Sequence, residues 1–283
     1  MKTILITGIN GFLGSNLAKA LSIQYNIIGL EYSLENLFRL SKCNYKLYAA
    51  RDGIPEIMFT EQHIDIVVHT ATYYGKNNED FNQMFNANLF SPFNLLDRSI
   101  NHGCQLFINT DTVLDRFVST YALTKRQFQE WLYLRKNEIK VINMQLEHFY
   151  GPGASPTNFI TFMINGLKNN EPQIDLTLGE QQRDFVYIDD VVNAYLAVIE
   201  KQYLVSDSYS SFQVCTNQLI SIKELMNLLK DLTKSTSILN FGAVSYRENE
   251  LMNSKTDNTA LRGLDWKPIY VIRAGLKHTL LNS

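Results

Sequence analysis

Tyr121 and Lys125 stand four residues apart in the run TYALTKRQFQEW, and Thr110 precedes the tyrosine by 11 positions. If the run is helical, positions i and i+4 share a face and the ammonium lies close to the phenol. A free tyrosine titrates at about 10. A neighbouring cation favours the phenolate and moves the group toward acid–base service near neutrality. Thr110 ends the apolar run CQLFINT, and its hydroxyl can reach the same oxygen that Tyr121 would protonate. Taken alone, a tyrosine and a lysine at this spacing equally describe a core edge and a solvated helix face. The surrounding elements must decide.

Those elements alternate. TILIT, NIIGL, IDIVVHT, CQLFINT and KVINMQL are short Ile-, Val- and Leu-rich runs, as expected for strands covered on both faces. Between them, NLAKALSIQ, NANLFSPFNLLDRSINHG and TKRQFQEWLYLRKN carry apolar residues at helical spacing. Such alternation predicts a parallel sheet with helices on both faces. In such a sheet ligands bind at the carboxyl ends of the strands, and Thr110 is at one. YGPGASPTNF reads as a loop. The region after about residue 200 mixes short strands with one clear helix, SIKELMNLLKDLTK, begun by a serine N-cap. A smaller C-terminal lobe, with a cleft between the lobes, is the expected arrangement.

TGINGFLG follows the first strand and opens the first helix. Gly8, Gly11 and Gly14 permit a tight turn, close backbone approach to a pyrophosphate and close helix–sheet packing. Asn10, Phe12 and Leu13 complete the turn, and the helix start supplies amide donors. The turn therefore predicts dinucleotide binding in a Rossmann-type, doubly wound α/β fold. The second strand ends in Glu31, placed to accept from ribose hydroxyls and to repel a 2′-phosphate, which favours NAD over NADP. Arg39, eight residues later, can fold back and soften that preference.

Composition excludes other classes. With 26 basic and 28 acidic residues and a net charge of −2, no electrostatic footprint for nucleic acid or an anionic membrane exists. Cys43, Cys104 and Cys215 are isolated and lack metal-ligand spacing; they read as buried small hydrophobes in a reducing compartment, with no metal implied. The N-terminal apolar run is too short for a signal h-region, and no stretch approaches a membrane span, so a cytoplasmic protein is expected.

The glycine turn, VVHTAT at the fourth strand, Asn88 in NANLFSPFNLL, the Thr110/Tyr121/Lys125 set, YGPG, RDFVYIDDVVNAYLAVIE and DNTALRGLDWKP occur in order along essentially the whole chain. In these the sequence resembles the extended short-chain dehydrogenase/reductases, the nucleotide-sugar epimerase, dehydratase and reductase group. The resemblance implies NAD(P)-dependent chemistry at C4 of a nucleotide-linked deoxyhexose. Reduction of a 4-keto group is the favoured reading, CDP-linked and NADPH-using by the nearest pattern within the family. The alternative is a 4-epimerase that keeps NAD bound. A binding protein of the same fold would be expected to lose the Thr110/Tyr121/Lys125 set.

Carried over by resemblance, Tyr121 protonates the 4-oxygen, Thr110 polarises it, and Lys125 holds the nicotinamide ribose. Thr70, Ala71, Thr72, Asn88 and Leu146 join the cofactor set. Tyr73, Tyr74, Asp111, Thr112, His148, Asn158 and Arg183 join the substrate set, with Asn158 and Arg183 toward the diphosphate; a salt bridge from Arg183 to Asp184 is the competing reading. Thr112 stands where sugar 4,6-dehydratases carry a glutamate, so dehydration loses its base. The dinucleotide domain is expected to comprise 1–152 and about 183–200, and the nucleotide-sugar lobe about 153–182 and 201–283. A homodimer through residues 80 to 100 and 120 to 136 is implied.

Overall fold

The structure, a computed structural model, describes residues 1–41, 43–75 and 80–282. Strands β1 (Thr3–Thr7), β2 (Asn26–Glu31), β3 (Lys46–Ala49), β4 (Ile66–His69), β5 (Leu106–Thr112) and β6 (Lys140–Leu146) alternate with helices α1 (Phe12–Leu21), α2 (Ile57–Thr60), α3 (Phe81–Phe85), α4 (Ser91–Asn101) and α5 (Thr120–Leu134). Strands β7 (His148–Tyr150), β8 (Gln173–Leu176), β9 (Gln182–Tyr187), β10 (Tyr209–Val214), β11 (Leu219–Ser221) and β12 (Ile238–Phe241) follow. They are interspersed with α6 (Phe159–Lys168), α7 (Ile188–Glu200), α8 (Ile222–Thr233), α9 (Thr259–Arg262) and α10 (Ile272–Leu281).

By packing, the chain forms two units, Met1–Gln145 with Val198–Phe212 and Leu146–Ala197 with Gln213–Ser283. The segment expected at about 183–200 in the dinucleotide domain thus falls mostly in the second unit, because β9 pairs with β7 and β11. Residues 201–212, expected in the lobe, belong to the first unit, whose sheet β10 joins beside β6.

The first unit is built on a sheet of order β10-β6-β5-β4-β1-β2-β3. Its pairings β1 with β2, β1 with β4, β2 with β3, and β4 with β5 are parallel. Ile4, Leu5 and Ile6 of β1 are all 0% exposed, which explains the unbroken apolar run: a central strand has no solvated face. Leu5, Val67, Phe107, Phe128, Leu132 and Val141 pack in one core, each such side chain contributing about 1.5–3 kcal/mol by leaving water. The strand order reverses between β1 and β4. This is the switch point at which a doubly wound sheet opens a crevice beyond its strand ends.

In the second unit β11, β9 and β7 form one small sheet and β12 pairs with β8 in another. Helix α8 begins with the expected cap: Ser221 and Glu224 form a reciprocal capping box. Asp190, 0% exposed, accepts from the amides of Ile269 and Tyr270, and its carbonyl accepts from the Trp266 indole. The DDVV and DWKP motifs therefore tie two segments of this unit together. Cys104 and Cys215 are buried thiols, whereas Cys43 is exposed, contrary to expectation. Among the described residues no helix is long and apolar enough to cross a membrane.

Candidate active site

The glycine turn closes as its residue types require. Gly8 has φ +63°, and a Cβ there would lie 2.8 Å from the Ala71 Cα. A Cβ on Gly14 would lie 2.2 Å from the Gly8 carbonyl oxygen. Both positions are closed to any side chain, so the helix can sit directly against the turn. Gly11 N–H donates to the Gly8 carbonyl at 2.8 Å. No side chain caps α1 at Gly11; the turn ends in the amide end of a helix, suited to a pyrophosphate. Phe12 and Leu13 form its first turn. The cradle fits a dinucleotide.

Glu31 lies beside it. Its Oε2 accepts from the Asn10 amide at 2.8 Å and its Oε1 from the Tyr32 amide at 3.3 Å. Arg39 does fold back: its guanidinium donates to the Asn10 carbonyl at 3.2 Å and stacks on Phe38. A carboxylate and a guanidinium thus converge on Asn10.

Beneath the turn, Thr7 joins β1 to β4. Its Oγ1 accepts from the amides of Thr70 and Ala71, both at 3.1 Å. Its own proton therefore goes to His69 Nδ1, 2.8 Å away, leaving His69 with Nε2–H. Burial, reinforced by the charge of Lys125, pushes the His69 pKa well below its ordinary value, so the ring is neutral. The ring stands edge-on to Phe128 at 5.8 Å. Thr70 also donates to the Thr7 carbonyl at 2.6 Å. The residues Thr70 to Tyr74 leave β4 from this fixed point.

Thr110, Tyr121 and Lys125 all belong to the first unit. Ser119 caps α5 with its side chain, accepting from Ala122 N–H, so the helix starts just before Tyr121. Thr110 and Tyr121 are half-buried. Lys125 is 2% exposed; burial lowers its pKa and the Asp111 charge opposes that shift. The Asp111 pKa is raised by burial, against the pull of Lys125 and of two hydrogen bonds. Those bonds come from Asn143 Nδ2 to Oδ2 and from the Thr112 amide to Oδ1, both 2.8 Å. Asn143 is held in turn by Asn109 at 2.7 Å. Asp111, expected to contact substrate, is only 4% exposed and is engaged in this network. Asn109 and Asn143 were missed as supporting residues, although an asparagine inside an apolar strand, as in FINT and VINMQ, was a visible signal.

In the second unit, Leu146 is buried at the end of β6. Asn158 caps α6, its Oδ1 accepting from Ile160 and its Nδ2 donating to the Phe149 carbonyl. Arg183 does not pair with Asp184. Asp184 is 0% exposed and takes the amide and hydroxyl of Thr216, while Arg183 pairs with Glu250 and donates to the Gln182 carbonyl. His148 stands beside buried Glu147, Nδ1 to Oε2 3.5 Å, with its ring against Phe185. Its side chain is 42% exposed.

The family model described as "NAD dependent epimerase/dehydratase family" matches residues 4–210. CDP-abequose synthase of Salmonella typhimurium is 33% identical, with 98% of this chain and 97% of that protein covered. Human dTDP-D-glucose 4,6-dehydratase is 26% identical, covering 99% and 89%. Among solved structures, UDP-glucuronic acid 4-epimerase of Bacillus cereus, in complex with UDP-glucuronic acid and NAD, superposes with TM-score 0.88 at 21% identity over 99% of this chain and 98% of that one. UDP-glucose 4-epimerase of Thermotoga maritima, with UDP-glucose, gives 0.87 at 23% identity over 99% and 98%. The matched span carries the glycine cradle, the Thr110/Tyr121/Lys125 set and the parallel sheet that positions them, and the chain belongs to the NAD-dependent epimerase/dehydratase family.

Proposed function

We propose that the protein reduces the 4-keto group of a nucleotide-linked 6-deoxy or 3,6-dideoxy hexose, CDP-linked by its likeness to CDP-abequose synthase. The observation that carries this reading is Lys125, an almost fully buried ammonium four residues from Tyr121 whose charge is favoured by Asp111. A reduced nicotinamide bound at the glycine cradle would supply the hydride. Tyr121 delivers the proton to the 4-oxygen, Thr110 donates a hydrogen bond to it, and Lys125 holds the ribose and favours the phenolate that Tyr121 becomes. Gly8, Gly11, Gly14, Thr70 to Thr72 and Leu146 would surround the dinucleotide. Tyr73, Thr112 and His148 would face the sugar, and Asn158 and Arg183 the diphosphate. Thr112 offers no carboxylate for a dehydration.

A second reading, a 4-epimerase retaining NAD, is favoured by Glu31 at the end of β2. One experiment separates them. Stopped-flow oxidation of NADH and NADPH is followed with 4-keto-6-deoxyhexoses linked to CDP, UDP, GDP and dTDP. One cofactor oxidised per sugar supports the reductase; turnover of a 4-hydroxy sugar by protein purified with tightly held NAD, indifferent to added cofactor, supports the epimerase.

The Glu31 carboxylate should read the ribose diol. Glu31→Ala is expected to weaken NADH binding roughly ten- to a hundredfold, the loss of a charged hydrogen bond, and to narrow the gap to NADPH, for which Arg39 is at hand. Equal or better use of NADPH by the unaltered protein would remove this assignment.

Arg183→Ala is expected to raise KM for the nucleotide sugar roughly tenfold or more, with less effect on cofactor affinity. An unchanged KM with a lowered Tm would leave Arg183 as a partner of Glu250 alone. The chain is also proposed to be a homodimer through 80 to 100 and 120 to 136, where Phe85, Phe90, Trp131 and Leu134 are exposed.

A further inference from the structure

Asn88 sits in a π-helical turn, Asn86–Phe90, between α3 and α4, the kind of helix defect that recurs at functional sites. It is 1% exposed, and both ends of its amide are used. Oδ1 accepts from the Tyr73 amide at 2.8 Å and the Thr72 hydroxyl at 3.1 Å; Nδ2 donates to the Tyr73 carbonyl at 2.8 Å and to Thr124 Oγ1 at 3.3 Å. The Thr124 hydroxyl in turn donates to the Tyr121 carbonyl at 2.9 Å. Two buried side chains therefore connect the backbone of Tyr73 to the backbone of Tyr121. The next residue after Tyr73 is carried onto the helix that bears the proton donor.

That residue is Tyr74. Its ring lies 5.0 Å from the Tyr121 ring at 33°, which brings the two phenols side by side. Tyr74 is 51% exposed, so hydrophobic burial does not by itself dictate this placement. We propose that Tyr74 is a positioning residue for Tyr121: the two phenols form one hydrogen-bonded pair in which the Tyr74 hydroxyl donates to the Tyr121 oxygen as the latter gives its proton to the reacting sugar oxygen. The proposal rests on the reductase reading.

In the reaction the Tyr121 O–H bond breaks and its proton forms the O–H bond at the sugar C4 as hydride from the reduced nicotinamide reaches that carbon. Tyr74 keeps its proton and donates it as a hydrogen bond to the Tyr121 phenolate, which favours the charged form. The pair, left one proton short, regains it from solvent after product formation. On the same helix Lys125 is electrostatically coupled to Asp111 on β5 and to the neutral His69 on β4, and Arg126 acts on Asp111.

A hydrogen-bonded pair of like acids loses its first proton more readily than either acid alone. Tyr74→Phe keeps the ring and removes only the hydroxyl. Tyrosinate absorbance is titrated with saturating NAD and no sugar, subtracting from each protein its Tyr121→Phe counterpart. The first rise assigned to Tyr121 is expected at higher pH in Tyr74→Phe, by about one pH unit, and the alkaline limb of kcat/KM for reduction should move up in step while KM for the cofactor stays constant. A titration that does not move in Tyr74→Phe overturns the pairing. Because the titration needs no sugar, failure to reduce any sugar tested would sink the reductase reading and leave this result to stand or fall by itself.

Discussion

Tyr121→Phe is expected to lower kcat by about 10² to 10⁴, the range over which a positioned general acid contributes, while the fold and cofactor affinity survive. The substitution removes one oxygen from a half-buried ring whose packing against Tyr74 remains. Thr110 cannot replace it, since a threonine hydroxyl donates a hydrogen bond to developing charge but does not give up its proton near neutrality; Thr110→Val should cost on the order of one such bond. Stopped-flow oxidation of the reduced cofactor with the best 4-keto sugar, at several pH values, measures this directly. Near-normal turnover in Tyr121→Phe would return the tyrosine, the lysine and the threonine to a helix face and a strand end.

Lys125→Met should fail in three ways at once. Turnover should fall because the phenolate loses its neighbouring cation, and cofactor affinity should fall because the ribose loses its donor. Stability should also fall, because Asp111 remains in place at 4% exposure without the nearby positive charge that favours its ionised form. The pH dependence distinguishes this from simple loss of packing. Burial already raises the folded-state pKa of Asp111, and Lys125 is the largest effect opposing that rise. Without Lys125 the folded pKa climbs further, so the folded protein binds more protons than the unfolded chain between the two values. Stability relative to the parent must then fall as pH rises from the parent's already raised folded value through the still higher value of the variant. Thermal unfolding at pH 5 and pH 8 reads the difference, which should be larger at the higher pH. Adding Asp111→Asn should restore much of the loss; no recovery would mean that Asp111 is not the group left stranded.

The readings carried by local spacing were legible in the sequence. Gly8, Gly11 and Gly14 could be assigned to a strand–turn–helix cradle because a side chain at such a turn is sterically excluded wherever the sheet lies. The i, i+4 relation of Tyr121 and Lys125 follows from helix geometry alone, and the strand runs of β1, β2, β4, β5 and β6 follow from burial on both faces. Asn158 was readable too, as an N-cap before the apolar run FITFMINGL, whereas its place toward the diphosphate came only from the resemblance. Contacts between residues distant in sequence were not legible. Arg183 meets Glu250 across 67 positions, and nothing local distinguishes that partner from the adjacent Asp184. The return of β10 to the first sheet, the Asn143 bond beneath Asp111, and the path from Tyr73 through Asn88 and Thr124 to Tyr121 all depend on which buried polar groups the folded chain brings together. A composition with 26 basic and 28 acidic residues limits the available pairings very little. The requirement that a buried donor find an acceptor acts only once packing has excluded water, and so tertiary structure alone placed Tyr74 against Tyr121.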